Sequence, residues 1–189
     1  MIKRNLYIKQ IHPFYNTPMV KVLTGMRRSG KSTMLQLIQK DLKSMGIKEG
    51  QFFTLNMESV EGMRLKSPQD LINQLEAFFT QLDGDQKGYV FLDEVQILSG
   101  WERAVNACNT AFNADIYLTG SNASLLSSDL ATFLSGRYVS FQIHPFSFSE
   151  FTELFSHLGK SHAELFISYL TFGGMPSLQY LDLQYEPSM

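Results

Sequence analysis

The chain has 189 residues, of which 44% are apolar and 18% charged, a balance typical of a folded globular domain rather than a disordered one. A net charge of −2 and a pI near 6.1 give no overall basic field to attract nucleic acid or an anionic membrane. The single cysteine, Cys108, excludes an internal disulfide and argues against a cysteine-based metal site.

Segments that would target the chain to a membrane or for export are not evident. No apolar run approaches the roughly 18 residues that a membrane-spanning helix needs. The N-terminal stretch MIKRNLYIKQ is positively charged but lacks the continuous apolar core of a secretion signal. We therefore expect a cytoplasmic protein without a membrane partner.

Strand and helix patterns alternate along the first part of the chain. A weakly amphipathic helix is predicted first, ending near His12-Pro13. Apolar runs predict strands at 20–24, 51–57, 88–94, 115–120 and 138–143. Helical patterns between them are predicted at 32–46, at 68–82 after an N-cap at Ser67, after a capping-box spacing at Ser99–Glu102, and at 123–134. This alternation indicates an α/β fold, with a parallel sheet covered by helices on both faces.

The pattern changes after His144-Pro145. Ser147–Glu150 and Ser161–Glu164 both have capping-box spacing, and each precedes an apolar helical stretch. We therefore divide the chain into an α/β core at 1–144 and a short helical appendage at 145–189, which contains the FGGMP segment at 172–176.

The segment GMRRSGKS, which begins at Gly25, matches the P-loop or Walker A pattern G-x-x-x-x-G-K-[ST]. Its glycines let backbone N–H groups converge on a phosphate, and the helix behind it adds its positive end. Lys31 supplies a charge to the outer phosphates, and the Ser32 hydroxyl can ligate Mg²⁺. A chance glycine turn is the alternative, but the position between a strand and an amphipathic helix favours nucleotide binding. The candidate nucleotide-binding residues are Gly25, Arg27, Arg28, Ser29, Gly30, Lys31, Ser32 and Thr33.

An acidic pair follows the strand YVFL. Asp93 ends that strand, where ligands bind in open α/β sheets, and is the candidate second ligand of Mg²⁺. Glu94 is placed to activate the water that attacks the γ-phosphate. Alone, the pair would more simply be a solvated turn, but a P-loop in the same chain favours the catalytic interpretation. A carboxylate acting on water favours hydrolysis over phosphoryl transfer to a small molecule.

Polar residues also follow the fourth predicted strand, in YLTGSN. One of Thr119, Ser121 and Asn122 could contact both the attacking water and the γ-phosphate, or Ser121 and Asn122 could cap the next helix. Arg137 precedes the last strand and is either a surface ion-pair residue or an arginine finger that reaches a neighbouring subunit.

Three further features have simpler interpretations. His144 is expected in a turn, and Trp101 is expected to be a packing anchor rather than a base-stacking platform, because no basic residues surround it. Arg27 and Arg28 either contact phosphate or a neighbouring subunit or are merely solvated.

Taken with these motifs, the stretches LSGRYVSFQIHPFSFSEF and FGGMP resemble the predicted AAA+ ATPases of bacteria and archaea, in which a domain of unknown function follows an N-terminal ATPase domain. The resemblance implies a P-loop sandwich with five parallel strands in the order 5-1-4-3-2, binding of ATP and ADP with Mg²⁺, and a possible homo-oligomer. It assigns phosphate and metal binding to Gly30, Lys31 and Ser32, the acidic pair to Asp93 and Glu94, the polar sensor to Ser121 or Asn122, and the finger to Arg137.

Two departures from that family shape the expected function. In that family a helical lid follows the fifth strand; here only 145–189 remain for it, so we expect a partial lid and no second domain. No arginine follows Arg137 to serve as the second arginine that such a lid commonly provides. We therefore expect slow Mg·ATP hydrolysis coupled to a partner protein or to the missing region. The alternatives are a nucleotide-binding switch that hardly hydrolyses ATP and, less favoured, a P-loop kinase or nucleotidyl transferase.

Overall fold

The computed structural model describes residues 2–120, 134, 136–180 and 183. Five parallel strands form one sheet in the order β2-β3-β4-β1-β5, which confirms the expected α/β fold and strand order. The strands are β1 (Val20–Thr24), β2 (Phe52–Asn56), β3 (Gly88–Asp93), β4 (Ala114–Thr119) and β5 (Tyr138–Gln142). The helices are α1 (Asn5–Ile11), α2 (Lys31–Ser44), α3 (Pro68–Thr80), α4 (Trp101–Ala111), α5 (Phe148–Leu154) and α6 (His162–Phe172).

The sheet separates two apolar cores. The three central strands are buried along their whole length, as expected of parallel strands covered on both faces, whereas the edge strands β2 and β5 are half-buried. Trp101 and Cys108 of α4 and Leu71 of α3 pack in one core, so Trp101 is the anchor that its sequence context predicts. Met34 and Ile38 of α2 pack in the other.

Helix starts follow the predicted capping chemistry, with one exception. The hydroxyls of Ser67, Ser147 and Ser161 each accept a backbone N–H bond, and each helix has the reciprocal capping-box contact. The predicted box at Ser99–Glu102 is wrong, because α4 has Gly100 as its N-cap in the left-handed region, at φ 74°, with no side-chain cap. Glycine adopts that conformation without steric cost, so the turn sets the start of the helix.

The segment after β5 forms a third, smaller core beside the sheet. Phe151 and Phe155 of the α5 region pack against Leu165 of α6 and against Leu178. The backbone of Gly174 lies so close to Phe146 that an added Cβ would come within 2.2 Å of the Phe146 carbonyl oxygen. This close approach, together with the bond from Phe146 N–H to the Gly174 carbonyl at 2.7 Å, holds Pro176 and the residues after it next to Gly30 at the start of α2. No helix in the described ranges is long and apolar enough to cross a bilayer.

Candidate nucleotide site at the carboxyl edge of the sheet

The predicted P-loop forms the turn from β1 into α2. Gly25 has φ 148°, and a Cβ there would lie 2.3 Å from the carbonyl oxygen of Ile143, so only glycine fits beside the end of β5. Gly30 is the N-cap of α2 at φ 96°. The first N–H groups of a helix have no acceptor within the helix, so the loop presents free donors and the positive end of α2 at one place. This arrangement suits a phosphate.

Lys31 is buried at the start of α2 and folds back over the loop. Its ammonium nitrogen lies 3.4 Å from the Gly25 carbonyl oxygen, 3.3 Å from that of Met26 and 3.7 Å from Oε1 of Glu94. All three distances are long for contacts of an ammonium group, for which 2.7–2.9 Å is usual with a carboxylate. The lysine is therefore desolvated but only weakly bonded within the chain.

Thr119 joins the two acidic residues. Its hydroxyl accepts the backbone N–H of Glu94 at 2.9 Å and donates to Oδ1 of Asp93. The other carboxylate oxygen of Asp93 accepts from the Asn56 side chain at 3.0 Å. Side chains at the ends of three neighbouring strands thus fix a carboxylate at the carboxyl edge of the sheet, where ligands bind in open α/β folds.

Glu94 adopts a backbone conformation that is unusual for a side-chain-bearing residue. Its φ is 53°, in the left-handed region, at the start of the short 3₁₀ turn Val95–Ile97. Such a conformation costs about 1–3 kcal/mol and is found mainly where the surrounding structure enforces it, often at functional sites. The Gln96 side chain donates to Oε2 of Glu94 at 2.6 Å, which leaves Oε1 directed toward Lys31.

The donor set fits a magnesium ion. Asp93 offers a carboxylate, and the exposed Ser32 offers a hydroxyl on the first turn of α2. Both are hard oxygen ligands, and Mg²⁺ in nucleotide sites is bound by one or two protein oxygens while substrate phosphates and water complete its shell. Among the described residues no group of three or more His, Cys, Asp or Glu forms a separate metal cluster.

A cavity of about 290 Å³ opens beside the P-loop. The P-loop side contributes Gly30 and Thr33, and the segment after β5 contributes Phe146 and Tyr180. The remaining lining residues are Ile2, Arg4, Gln36, Pro176 and Gln179. The lining thus combines apolar and aromatic side chains with polar ones, and small-molecule sites use such polar groups to orient a ligand.

The other predicted site residues are distributed differently. Arg27 and Arg28 are exposed, and Arg27 lies 3.9 Å from Glu58 in a solvent-exposed ion pair. Ser121, Asn122 and the predicted helix at 123–134 lie outside the described residues, except for Leu134. His144 is in the loop after β5, as expected.

Arg137 lies at the amino end of the strands, whereas the P-loop lies at their carboxyl end. Its carbonyl accepts the N–H of Val20, the first residue of β1, and the P-loop follows the last residue of that strand. Five residues at about 3.3 Å each separate the two edges by roughly 16 Å, which exceeds the reach of an arginine side chain. Arg137 is exposed and has no ion-pair partner in the part of the chain that the structure describes.

Three residues of the site were not predicted. Asn56 ends β2, so a search for polar side chains at strand ends would have found it, whereas Gln96 lies in the turn two residues after Glu94 and has no such signal. Arg4 lines the cavity and contacts the P-loop, but the sequence gives no signal for it because its partners are distant along the chain.

Comparison with known proteins agrees with this geometry. A family model described as an AAA domain matches residues 17–152. An uncharacterized protein of Haemophilus influenzae is 40% identical over 96% of this chain, and one of Methanocaldococcus jannaschii is 29% identical over 96%. The chain spans only 46% and 40% of those two proteins, so it corresponds to about half the length of these relatives.

Solved structures resemble the fold at low sequence identity. Drosophila ORC bound to DNA superposes with a TM-score of 0.61 at 16% identity, covering 93% of this chain and 53% of that one. A DNA replication initiation factor gives 0.60 at 18%, covering 95% and 59%. The Saccharomyces cerevisiae Hsp104–casein complex gives 0.58 at 12%, covering 94% and 35%. The likeness to such different proteins concerns the fold, while the family match covers most of the chain from the strand that precedes the P-loop. The chain therefore belongs to the AAA domain family.

Proposed function

We propose that this chain binds Mg·ATP at the P-loop and hydrolyses it, with Glu94 activating the attacking water. The observation that carries the proposal is the Thr119 hydroxyl, which fixes Asp93 and the backbone of Glu94 together at the sheet edge that holds the P-loop. The two carboxylates at this end of the strands suit different tasks. Both oxygens of Asp93 accept hydrogen bonds, whereas Glu94 directs one oxygen at Lys31 of the P-loop.

In this proposal the phosphates occupy the P-loop. The Ser29 hydroxyl oxygen is buried, has no hydrogen-bond partner among the described residues, and lies 3.0 Å from where a Cβ of Gly25 would be. A buried polar atom of this kind is expected to pair when a ligand arrives. Lys31 would exchange its long contacts for shorter, charge-assisted bonds to phosphate oxygens. Ser32 and Asp93 would hold Mg²⁺, which neutralises the charge that develops on the transferred phosphoryl group.

The base and ribose would occupy the cavity beside Gly30. Its walls include Phe146 and Tyr180, and Tyr180 is 81% exposed, so it can rotate onto a base. Gln36 and Gln179 offer amide groups that can donate to and accept from a base edge. The cavity lies on the side of α2 that faces the segment after β5, so nucleotide binding would bring the core and that segment together.

Arg137 would act only on a neighbouring subunit, since it cannot reach the P-loop of its own chain. An arginine that reaches the γ-phosphate in trans contributes roughly 10³–10⁵ to the rate where it operates. Nucleotide state would then be transmitted between subunits, and to a partner protein or to the further region that the longer relatives possess.

A nucleotide-binding switch with little hydrolysis is the second candidate. The observation that favours it is the engagement of both Glu94 oxygens, one by Gln96 and one toward Lys31. A base held in this way must change partners before it can accept a proton from water.

Phosphate release from Mg·ATP, measured at several protein concentrations, tests the proposal. We expect the specific activity to rise with protein concentration. Arg137→Ala and Lys31→Ala should each abolish phosphate release. Lys40→Ala, an exposed lysine on α2 away from the P-loop, should leave it unchanged. ATP binding without phosphate release would favour the switch, and a phosphorylated small molecule among the products would establish a kinase.

A further inference from the structure

Arg4 is a buried cation that contacts three separate parts of the chain. It is 3% exposed, and its guanidinium donates to the Ser29 carbonyl at 3.1 Å, to the His144 carbonyl at 2.7 Å and to Oε1 of Glu150 at 3.0 Å. A buried charge costs several kcal/mol of desolvation unless it is paired and its donors are satisfied. The three bonds leave from three different nitrogens of the rigid, planar guanidinium, whereas the three donors of a lysine ammonium radiate from a single nitrogen and cannot span the same acceptors.

The acceptors belong to elements that the nucleotide site requires in a fixed relation. Ser29 is in the P-loop, His144 follows β5, and Glu150 is in the first turn of α5. Glu150 also accepts the Ser147 N–H at 2.9 Å, so the carboxylate that pairs with Arg4 is the one that caps α5. The position of the whole helix is therefore tied to the P-loop backbone through one guanidinium.

Aromatic rings hold the guanidinium. Its carbon lies 4.6 Å from the centre of the Tyr7 ring and 5.2 Å from that of Phe146, distances at which cation–π attraction operates. Phe146 lines the cavity assigned to the base. Arg4 itself has φ 49°, a left-handed conformation that is costly for a residue with a side chain. The surrounding contacts maintain that conformation.

We propose that Arg4 is a positioning residue, whose guanidinium fixes the segment after β5 against the P-loop and so sets the affinity for the base half of the nucleotide. The inference rests on the proposed function. It assigns to Arg4 no contact with the reacting atoms. The phosphate half of the site is expected to depend on Arg4 much less, because the P-loop keeps bonds of its own, from Ser29 N–H to the Met26 carbonyl at 3.2 Å and from Ile143 N–H to the Thr24 carbonyl at 2.7 Å.

Two ligands separate these halves. We would measure the dissociation constants of Mg·ATP and of magnesium tripolyphosphate for wild type, Arg4→Lys, Glu150→Gln and the double variant, at a temperature at which circular dichroism shows all of them folded. Arg4→Lys should weaken ATP binding roughly tenfold, the equivalent of one lost charge-assisted hydrogen bond, and change tripolyphosphate binding less than about twofold. The double variant should be weakened by less than the sum of the two single changes, because both of them disrupt the Arg4–Glu150 pair.

Controls make the outcomes distinguishable. Lys9→Gln, an exposed cation on α1, should leave both constants unchanged. If Arg4→Lys fails to fold, Glu150→Gln alone provides the same comparison. Lower thermal stability with unchanged ATP affinity, or equal weakening of both ligands, would overturn the inference while leaving the proposed function intact. Failure of wild type to bind ATP would overturn both.

Discussion

A buried lysine lies beside a carboxylate at each end of the strands, the amino end and the carboxyl end. The two pairs differ in how fully they are hydrogen-bonded. At the amino edge, Lys21 is completely buried, and its ammonium bonds to Oδ1 of Asp115 and to the Thr17 carbonyl at 3.2 Å. The other oxygen of Asp115 accepts the Asn16 N–H at 2.8 Å and the Tyr117 hydroxyl at 2.9 Å. Every partner in this network is supplied by the chain itself.

At the carboxyl edge, Lys31 is almost as buried, at 4% exposed, yet its nearest carboxylate oxygen is 3.7 Å away. This difference in bonding indicates which of the two lysines is available to a ligand. A cation whose bonds are satisfied internally contributes to the fold, whereas a desolvated cation with weak contacts gains free energy when an anion approaches. Burial alone does not distinguish these roles, but the bonding of each group does.

The same substitution at both lysines should separate the two roles most strongly. Lys21→Met would leave the Asp115 carboxylate buried without its cation, and we expect a loss of about 3–5 kcal/mol in the free energy of unfolding. Lys31→Met should cost less than about 1 kcal/mol, because Glu94 stays partly exposed and keeps its bond to Gln96. Urea unfolding of both variants measures this, and similar losses would contradict the comparison.

Thr119→Val would test the bonding that joins the acidic pair. It leaves the N–H of Glu94 and an oxygen of the buried Asp93 without their partner, which costs about 1–3 kcal/mol of stability. We also expect Thr119→Val to lower the rate of phosphate release, because Glu94 loses the hydrogen bond that fixes its backbone. Thr119→Ser is the matched control, since it retains the hydroxyl, and a valine variant as active as the serine variant would refute this role.

A further effect concerns pH and is confined to alkaline conditions. Burial raises the pKa of the Cys108 thiol from its ordinary value of 9.0 to about 12. Above pH 9 the unfolded chain loses this proton while the folded chain keeps it, so stability should fall as the pH rises from 9 to 12. Cys108→Ala should make that decline shallower in unfolding measurements across this range. An equal decline in the variant would place its origin elsewhere, for example in Tyr117, whose pKa is also raised by burial and by Asp115.

The sequence allowed the fold and the glycine turn from β1 into α2 to be predicted, since both depend on local patterns. Apolar runs ended by polar residues located β1, β3 and β4, and the glycine spacing located the turn at Gly25. Arg4 and Glu150 could not be paired in advance, because 146 positions separate them and each resembles an ordinary charged residue. Lys21 likewise had no signal, because a lysine in a strand is buried only if a distant carboxylate meets it.

The error at Ser99 has a physical reason of a different kind. Serine, glycine and glutamate there satisfy the capping-box spacing, but Gly100 reaches the left-handed region and becomes the N-cap itself. The strand order followed from the resemblance to the family, because strand patterns alone do not fix which strands are neighbours.

The most direct test of the central claim is to measure ATP affinity and phosphate release with one preparation of Glu94→Gln. We predict an affinity equal to or higher than that of wild type, because the change removes a competitor for Lys31. Phosphate release should be lower by about 10²–10⁴, the usual contribution of a general base. Phosphate release at the wild-type rate, or loss of ATP binding, would contradict the role proposed for Glu94.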